Sequence, residues 1–174
     1  ILVTMATGSG KTRLAMALCY LLLESGRISR VLFVPDTSEL RRDTLQDFKR
    51  YEPINSQRLS DKYPVGNFDE HKQEDRDLSV VVDTIQKVKT KFRNSDNHNS
   101  GEFDLIIADE CHRGVNNKDG YAKVLDFYDA IEIGLTATPH RKTIDRYNDN
   151  WVYSYEYEQA LNDGKVVPFS PYVI

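Results

Sequence analysis

The stretch "MATGSGKTRLAMALCYLLLESG", residues 5–26, sets two glycines, a lysine and a threonine in one short turn and follows them with a long apolar helical pattern. Just before it, "ILVTM" at residues 1–5 reads as a buried strand. The pattern over residues 12–25 predicts a helix with Leu14, Leu18, Leu21 and Leu22 at helical spacing and Gly26 as its stop. A flexible, cationic turn between an apolar strand and a helix has two readings: an ordinary connection, or a cradle for an anion. The rest of the chain decides between them.

Further along, apolar segments alternate in kind. "RVLFVP" (30–35) reads as a strand, and residues 37–50 as an amphipathic helix starting near Thr37 or Ser38, with Leu40, Leu45 and Phe48 toward the core. Residues 51–76 are polar and irregular, with one short edge strand expected around Ile54 to Leu59. "LSVVVDT" is a strand, followed by a helix from Ile85 to Phe92, and residues 93–102 read as a hydrophilic, disordered loop. "FDLIIADE" is an apolar strand ending in carboxylates. A helix at Ala122 to Phe127 leads into "AIEIGLTATP". The tail reads as a short alternating strand, a helical turn ending at Gly164 and an exit strand. Continuous apolar strands alternating with helices specify an α/β fold: a mainly parallel sheet with helices on both faces.

The 174 residues fit one domain. A formal charge of −4 excludes a uniformly basic nucleic-acid coat and leaves room for a local basic face. No apolar run reaches the roughly 20 residues of a membrane span. Cys19 and Cys111 lack metal-ligand spacing, so a reducing, cytoplasmic setting is expected. The opening in mid-strand, without an initiator methionine, is what a piece of a longer protein would show.

In a phosphate-binding loop, backbone N–H groups of a glycine-rich turn point at phosphate oxygens and the following helix N-terminus adds its dipole. Thr7, Gly8, Ser9 and Gly10 would form that turn, with Lys11 on the β/γ-phosphates and Thr12 as a Mg²⁺ ligand. The strict pattern G-x-x-x-x-G-K-[ST] fails at one place, because its first glycine falls on Met5. Such a loop requires a carboxylate at a nearby strand end. "LIIADECH" supplies Asp109 to orient the metal and Glu110 to act as general base on an attacking water, 98 positions beyond Lys11. The loop and these carboxylates are expected at neighbouring strand ends.

In that order, "ATGSGKT", "DECH" and "GLTATP" resemble motifs I, II and III of superfamily 2 helicases and translocases. Across residues 103–168, "FDLIIADECHRG", "VLDFYDAIEIGLTATPHRKT" and "YSYEYEQALNDGKVVP" resemble the motor (R) subunit of type I restriction enzymes. The resemblance implies a RecA-like P-loop NTPase domain over residues 1–168, with 169–174 opening the link to a second RecA-like domain. It implies ATP and Mg²⁺ as cofactors and duplex DNA as the partner moved. Its other partners would be a nuclease domain in the same polypeptide and separate methyltransferase and specificity subunits. Residue by residue, Lys11, Asp109 and Glu110 match catalytic positions, while His112, Thr136 and Thr138 match positions that couple the ATP site to movement. Pro35, Arg41, Arg42, Thr84 and Gln86 fall on the motif Ia and Ib segments that meet the nucleic-acid backbone. Arg41, Arg42 and Asp43 stand where a glutamine is frequent in motif Ia.

Several residues carry two readings. Arg41, Arg42, Lys49 and Arg50 make either a DNA-facing stripe or a solvated helix face. Tyr153, Tyr155 and Tyr157 make either a half-buried strand face or a base-stacking platform. Arg113 meets either phosphate or a neighbouring carboxylate. The resemblance implies that arginine fingers come from the second RecA-like domain; Arg141 or Arg146 would serve only if this chain carried its own. "PDTSELR" lacks the spacing of a nuclease carboxylate set. Beside a DNA motor, two other functions stand: a nucleotide-gated switch without translocation, and an RNA helicase.

Overall fold

The computed structural model describes residues 1–53, 57–69, 77–94, 99–115 and 121–168. The strands are β1 (Leu2–Met5), β2 (Val31–Val34), β3 (Val65–Gly66), β4 (Val80–Val82), β5 (Leu105–Ala108), β6 (Ile131–Thr136) and β7 (Trp151–Tyr155). They form one sheet in the order β3-β4-β2-β5-β6-β1-β7, and every pairing is parallel. The central strands are apolar on both faces, as a doubly covered sheet requires.

The helices are α1 (Lys11–Glu24), α2 (Ser38–Arg50), α3 (Leu59–Lys62), α4 (Ile85–Asn94), α5 (Cys111–Val115), α6 (Tyr121–Leu125), α7 (Arg141–Arg146) and α8 (Tyr157–Asn162). One core joins Val3, Phe33, Ile107 and Leu135 to α1, α2, α3 and α8 through Cys19, Phe48, Leu59 and Ala160. The other joins Leu32, Val81 and Ile106 to α4, α5, α6 and the residue that ends α7 through Val88, Cys111, Val124 and Tyr147. Helix α2 begins where Thr37 predicts it to: its hydroxyl accepts from the Leu40 N–H at 3.2 Å.

Three expectations about segments change. Residues 59–62 form helix α3, while the short strand beyond α2 is Val65–Gly66, paired with β4; residues 54–56 lie outside the described set. No strand occupies residues 165–168, while the rest of the expected exit strand and the 169–174 link lie outside the described residues. Of the expected disordered loop, 93–94 close α4 and 99–102 form a turn, while 95–98 lie outside the described residues.

Two core assignments also change. In α1 the buried apolar positions are Ala15, Met16, Cys19 and Leu23, whereas Leu14 and Leu21 are 40% and 62% exposed. Leu18 and Leu22 flank the core. The helix is apolar around most of its girth, so periodicity alone did not select the face, and small Ala15 and Cys19 let the helix sit close to the sheet. Leu40 of α2 is likewise exposed, although Leu45 and Phe48 are buried.

Candidate functional site

The C-terminal ends of β1, β5 and β6 converge on one edge of the sheet, where open α/β sheets place their ligands. The turn after β1 and the turn after β5 are not on neighbouring strands, as the sequence suggested, because β6 lies between them. They meet because Lys11 reaches across: its Nζ lies 3.6 Å from Glu110 Oε1 and 3.4 Å from the Met5 carbonyl. Met5 therefore contributes main chain to the loop, and its buried side chain belongs to the core.

Gly8 and Gly10 adopt φ of 77° and 102°, a region that side-chain-bearing residues rarely enter. A Cβ at either position would meet nothing within 4 Å, so both glycines turn bare backbone toward open space. Ser9 fixes the turn by donating its hydroxyl and its N–H to the Ala6 carbonyl, at 2.6 and 3.2 Å. Gly10 caps α1 without a side-chain bond, and the first-turn N–H groups of an α-helix have no intrahelical acceptor. The turn thus offers N–H donors, an ammonium and the Thr12 hydroxyl to one cavity of about 850 Å³. Asp109 and Glu110 line the same cavity, and so do Met16 of α1 and Asp47, Arg50 and Tyr51 from the end of α2. Of these α2 residues only Arg50 stood out in the sequence, and there as part of a DNA-facing stripe or a solvated face.

Asp109 is held by the fold on both sides. Its N–H donates to the Val34 carbonyl of β2 at 2.9 Å, and its Oδ1 accepts from the Glu110 N–H at 3.0 Å. Burial, then the Glu110 charge, raise its pKa to about 6, against the pull of the Glu110 N–H and the Lys11 ammonium. Glu110 itself has φ 46°, a left-handed backbone that costs a non-glycine residue about 1–2 kcal/mol. Its carboxylate sits between Lys11 and His112, whose Nδ1 lies 3.3 Å from Glu110 Oε2.

His112 Nδ1 is also 2.8 Å from the hydroxyl of Thr136, which is fully buried at the end of β6. Burial lowers the pKa of His112 even against the raising effect of Glu110. Thr136 Oγ1 accepts the Thr138 N–H at 3.1 Å, so Thr138 contributes its backbone here while its side chain is exposed. A contact missed in the sequence is His140, whose ring meets that of His112 edge-on at 5.6 Å.

The remaining candidates separate. Arg113 pairs with Asp36, and a small cavity of about 90 Å³ joins that pair to buried Pro35, exposed Gln86 and the two carboxylates. Thr84 is buried and its carbonyl caps α4. Arg41 is committed inward: its Nε lies 2.9 Å from fully buried Asp83 and its Nη2 2.9 Å from Asp69. Arg42 is exposed along a neighbouring groove. Arg146 is bound to Glu132 and Asp126, and Arg141 to Asp145. Tyr155 is buried on edge strand β7, Tyr153 is exposed on it, and Tyr157 lies in α8, so the three tyrosines do not form one exposed strand face.

Among the described residues, no cluster of three or more His, Cys, Asp or Glu could hold a metal. None of their helices is long and apolar enough to cross a membrane.

A family model described as type III restriction enzyme, res subunit, matches residues 1–141. The chain is 31% identical to the EcoKI type I restriction enzyme endonuclease subunit of Escherichia coli K12, over 98% of this chain and 16% of that one. It is 29% identical to the Escherichia coli EcoAI endonuclease subunit, over 97% of this chain and 21% of the relative. It thus spans about a sixth to a fifth of the curated relatives' length. Among solved structures, the Pyrococcus furiosus Hef helicase domain matches with a TM-score of 0.70 at 22% identity, over 89% of this chain and 34% of that one. A fragment described as the HsdR subunit of a Vibrio vulnificus type I restriction enzyme matches at 0.64 and 25% identity, over 94% of this chain and 27% of that one. With a parallel RecA-like sheet and a glycine-rich loop meeting an acidic turn, the chain belongs to the type III restriction enzyme res subunit family and is a superfamily 2 helicase domain close to type I restriction R subunits.

Proposed function

We propose that this domain binds and hydrolyses ATP with Mg²⁺ to drive movement along duplex DNA, as the first of two RecA-like motor domains in a longer polypeptide. The observation that carries the reading is the meeting of Lys11 and Glu110 at 3.6 Å over one open cavity. Gly8 to Thr12 cradle the phosphates through backbone N–H groups, and Lys11 places a positive charge beside the β/γ-oxygens. Thr12 and Asp109, which line the same cavity, would hold the cation, a hydroxyl-and-carboxylate pair suited to an ion that keeps most of its water. A cation held there would supply neutralising charge to the phosphates. Glu110 takes the proton of the attacking water. His112, between Glu110 and Thr136, relays the state of the site to the 136–139 loop. Duplex DNA is the proposed substrate because the curated relatives are endonuclease subunits of restriction enzymes.

Steady-state ATP turnover by the natural polypeptide, measured with duplex DNA, single strands and RNA, tests this reading. Duplex DNA should stimulate most. Stimulation by RNA alone would move the substrate, and stimulation by none would favour a nucleotide-gated switch.

The pKa of about 6 at Asp109 adds a pH prediction. A raised carboxylate pKa means that the proton competes with the cation, so metal binding must release that proton. Mg²⁺-dependent nucleotide affinity should therefore fall as pH drops through about 6 and be highest above it. Titrations at about pH 5 and about pH 7.5 compare the two states. Affinity that did not weaken at the lower pH would remove Asp109 from the cation site.

A further inference from the structure

On the face of the sheet opposite α1, the side chains of Glu132 and Thr136 project from β6 with the bare backbone of Gly134 between them, since alternate residues of a strand share a face. Thr136 meets His112, as described above. Glu132 accepts from Arg146 Nε at 3.1 Å, from Arg146 Nη2 at 2.6 Å and from the Tyr147 hydroxyl at 2.7 Å. Between them, Tyr147 lies directly on Gly134. A Cβ there would fall 2.3 Å from Tyr147 Oη and 2.4 Å from Cζ, so only glycine admits the ring. Cys111 packs with Tyr147 in the same buried cluster, where its thiol faces the tyrosine hydroxyl. Cys111 and Tyr147 are both buried, and Cys111 stands between Glu110 and His112.

We propose that Tyr147 is a positioning residue for the acidic turn, seated on Gly134 and tying Cys111 to Glu132 so that the turn moves with the segment after the 136–139 loop. That segment already touches the turn once, through His140 on His112. Tyr147 gives it a second, buried hold at the far end of α7. Two fixed points on one short helix transmit a rotation, where a single contact would slip. The strained φ of Glu110 explains why a hold is needed, because such a backbone persists only where its neighbours over-determine it. The functional side of this assignment rests on the reading of Glu110 as general base.

Tyr147→Phe keeps the ring over Gly134 and removes only the hydroxyl. In the natural polypeptide it should lower DNA-stimulated kcat about five- to ten-fold, with KM for ATP changed by less than about two-fold. Cys111→Ala should do the same, and the double variant should be no worse than either single one. In a Cys19→Ser background, Tyr147→Phe should also speed native-state modification of Cys111 by a small thiol reagent about five- to ten-fold, by easing local opening of the turn. Glu132→Gln, which keeps an acceptor for Tyr147, should leave thiol protection near that of the parent. Unchanged thiol protection in Tyr147→Phe overturns the brace whatever the turnover shows, and additive kcat losses overturn its action through Cys111. Absence of ATP turnover in the unmodified polypeptide with any nucleic acid would instead sink the functional reading, with the thiol comparison still reporting on the brace.

Discussion

Glu110→Gln is expected to abolish ATP turnover while leaving Mg-ATP binding nearly intact. Glutamine keeps the shape and one acceptor oxygen but cannot take a proton, and general-base catalysis is worth about 10²- to 10⁴-fold. Binding should persist because the proposed phosphate donors are the backbone of the turn, Lys11 and Thr12. The strained backbone at φ 46° is compatible with either side chain, so the substitution leaves the fold alone. The contact of Lys11 with Glu110 at 3.6 Å adds a sign to the expectation. Losing the carboxylate frees the ammonium for phosphate, so nucleotide affinity should hold or rise. Single-turnover hydrolysis and equilibrium binding on the same variant separate the two effects. Near-normal hydrolysis would move the base elsewhere.

The parts of this domain that were legible in the sequence are those fixed by short-range chemistry. Thr37 announced the start of α2, the runs "VLFV" and "LIIA" announced buried parallel strands, and Gly8, Gly10, Lys11 and Thr12 stood together on one turn. What escaped depends on which distant element lies opposite. Arg41 and Arg42 look alike in sequence, yet Arg41 turns inward to buried Asp83, which arrives from the end of β4, and Arg42 faces out. Arg146 resembles a free cation until Glu132 of β6 and Asp126 surround it. The leucines of α1 and the core positions Ala15, Met16 and Cys19 fit a helical period equally well, and only the approach of the sheet chooses between them. The order of strands is similarly invisible: β6 follows β5 in sequence yet inserts between β5 and β1, separating the two turns that Lys11 then bridges.

Lys11→Ala is expected to have the second large effect, and on a different quantity. The ammonium is buried at 8% exposure, and its nearest carboxylate is Glu110. It is the one side-chain cation on the turn between Gly8 and Thr12, so its removal takes the charge proposed to face the β/γ-phosphates. Deleting one preorganised donor from a site of this kind lowers rate on the order of 10²- to 10³-fold, and here the loss should fall on affinity as well. Where Glu110→Gln separates binding from turnover, Lys11→Ala should lose both.

The central claim is that the turn at residues 5–12 cradles nucleotide phosphate, and equilibrium titration of the chain with a fluorescent ATP analogue and Mg²⁺ tests it most directly. The account predicts saturable binding that survives Glu110→Gln and is strongly weakened by Lys11→Ala. Binding that is absent in the unmodified chain, or indifferent to the loss of Lys11, would contradict it.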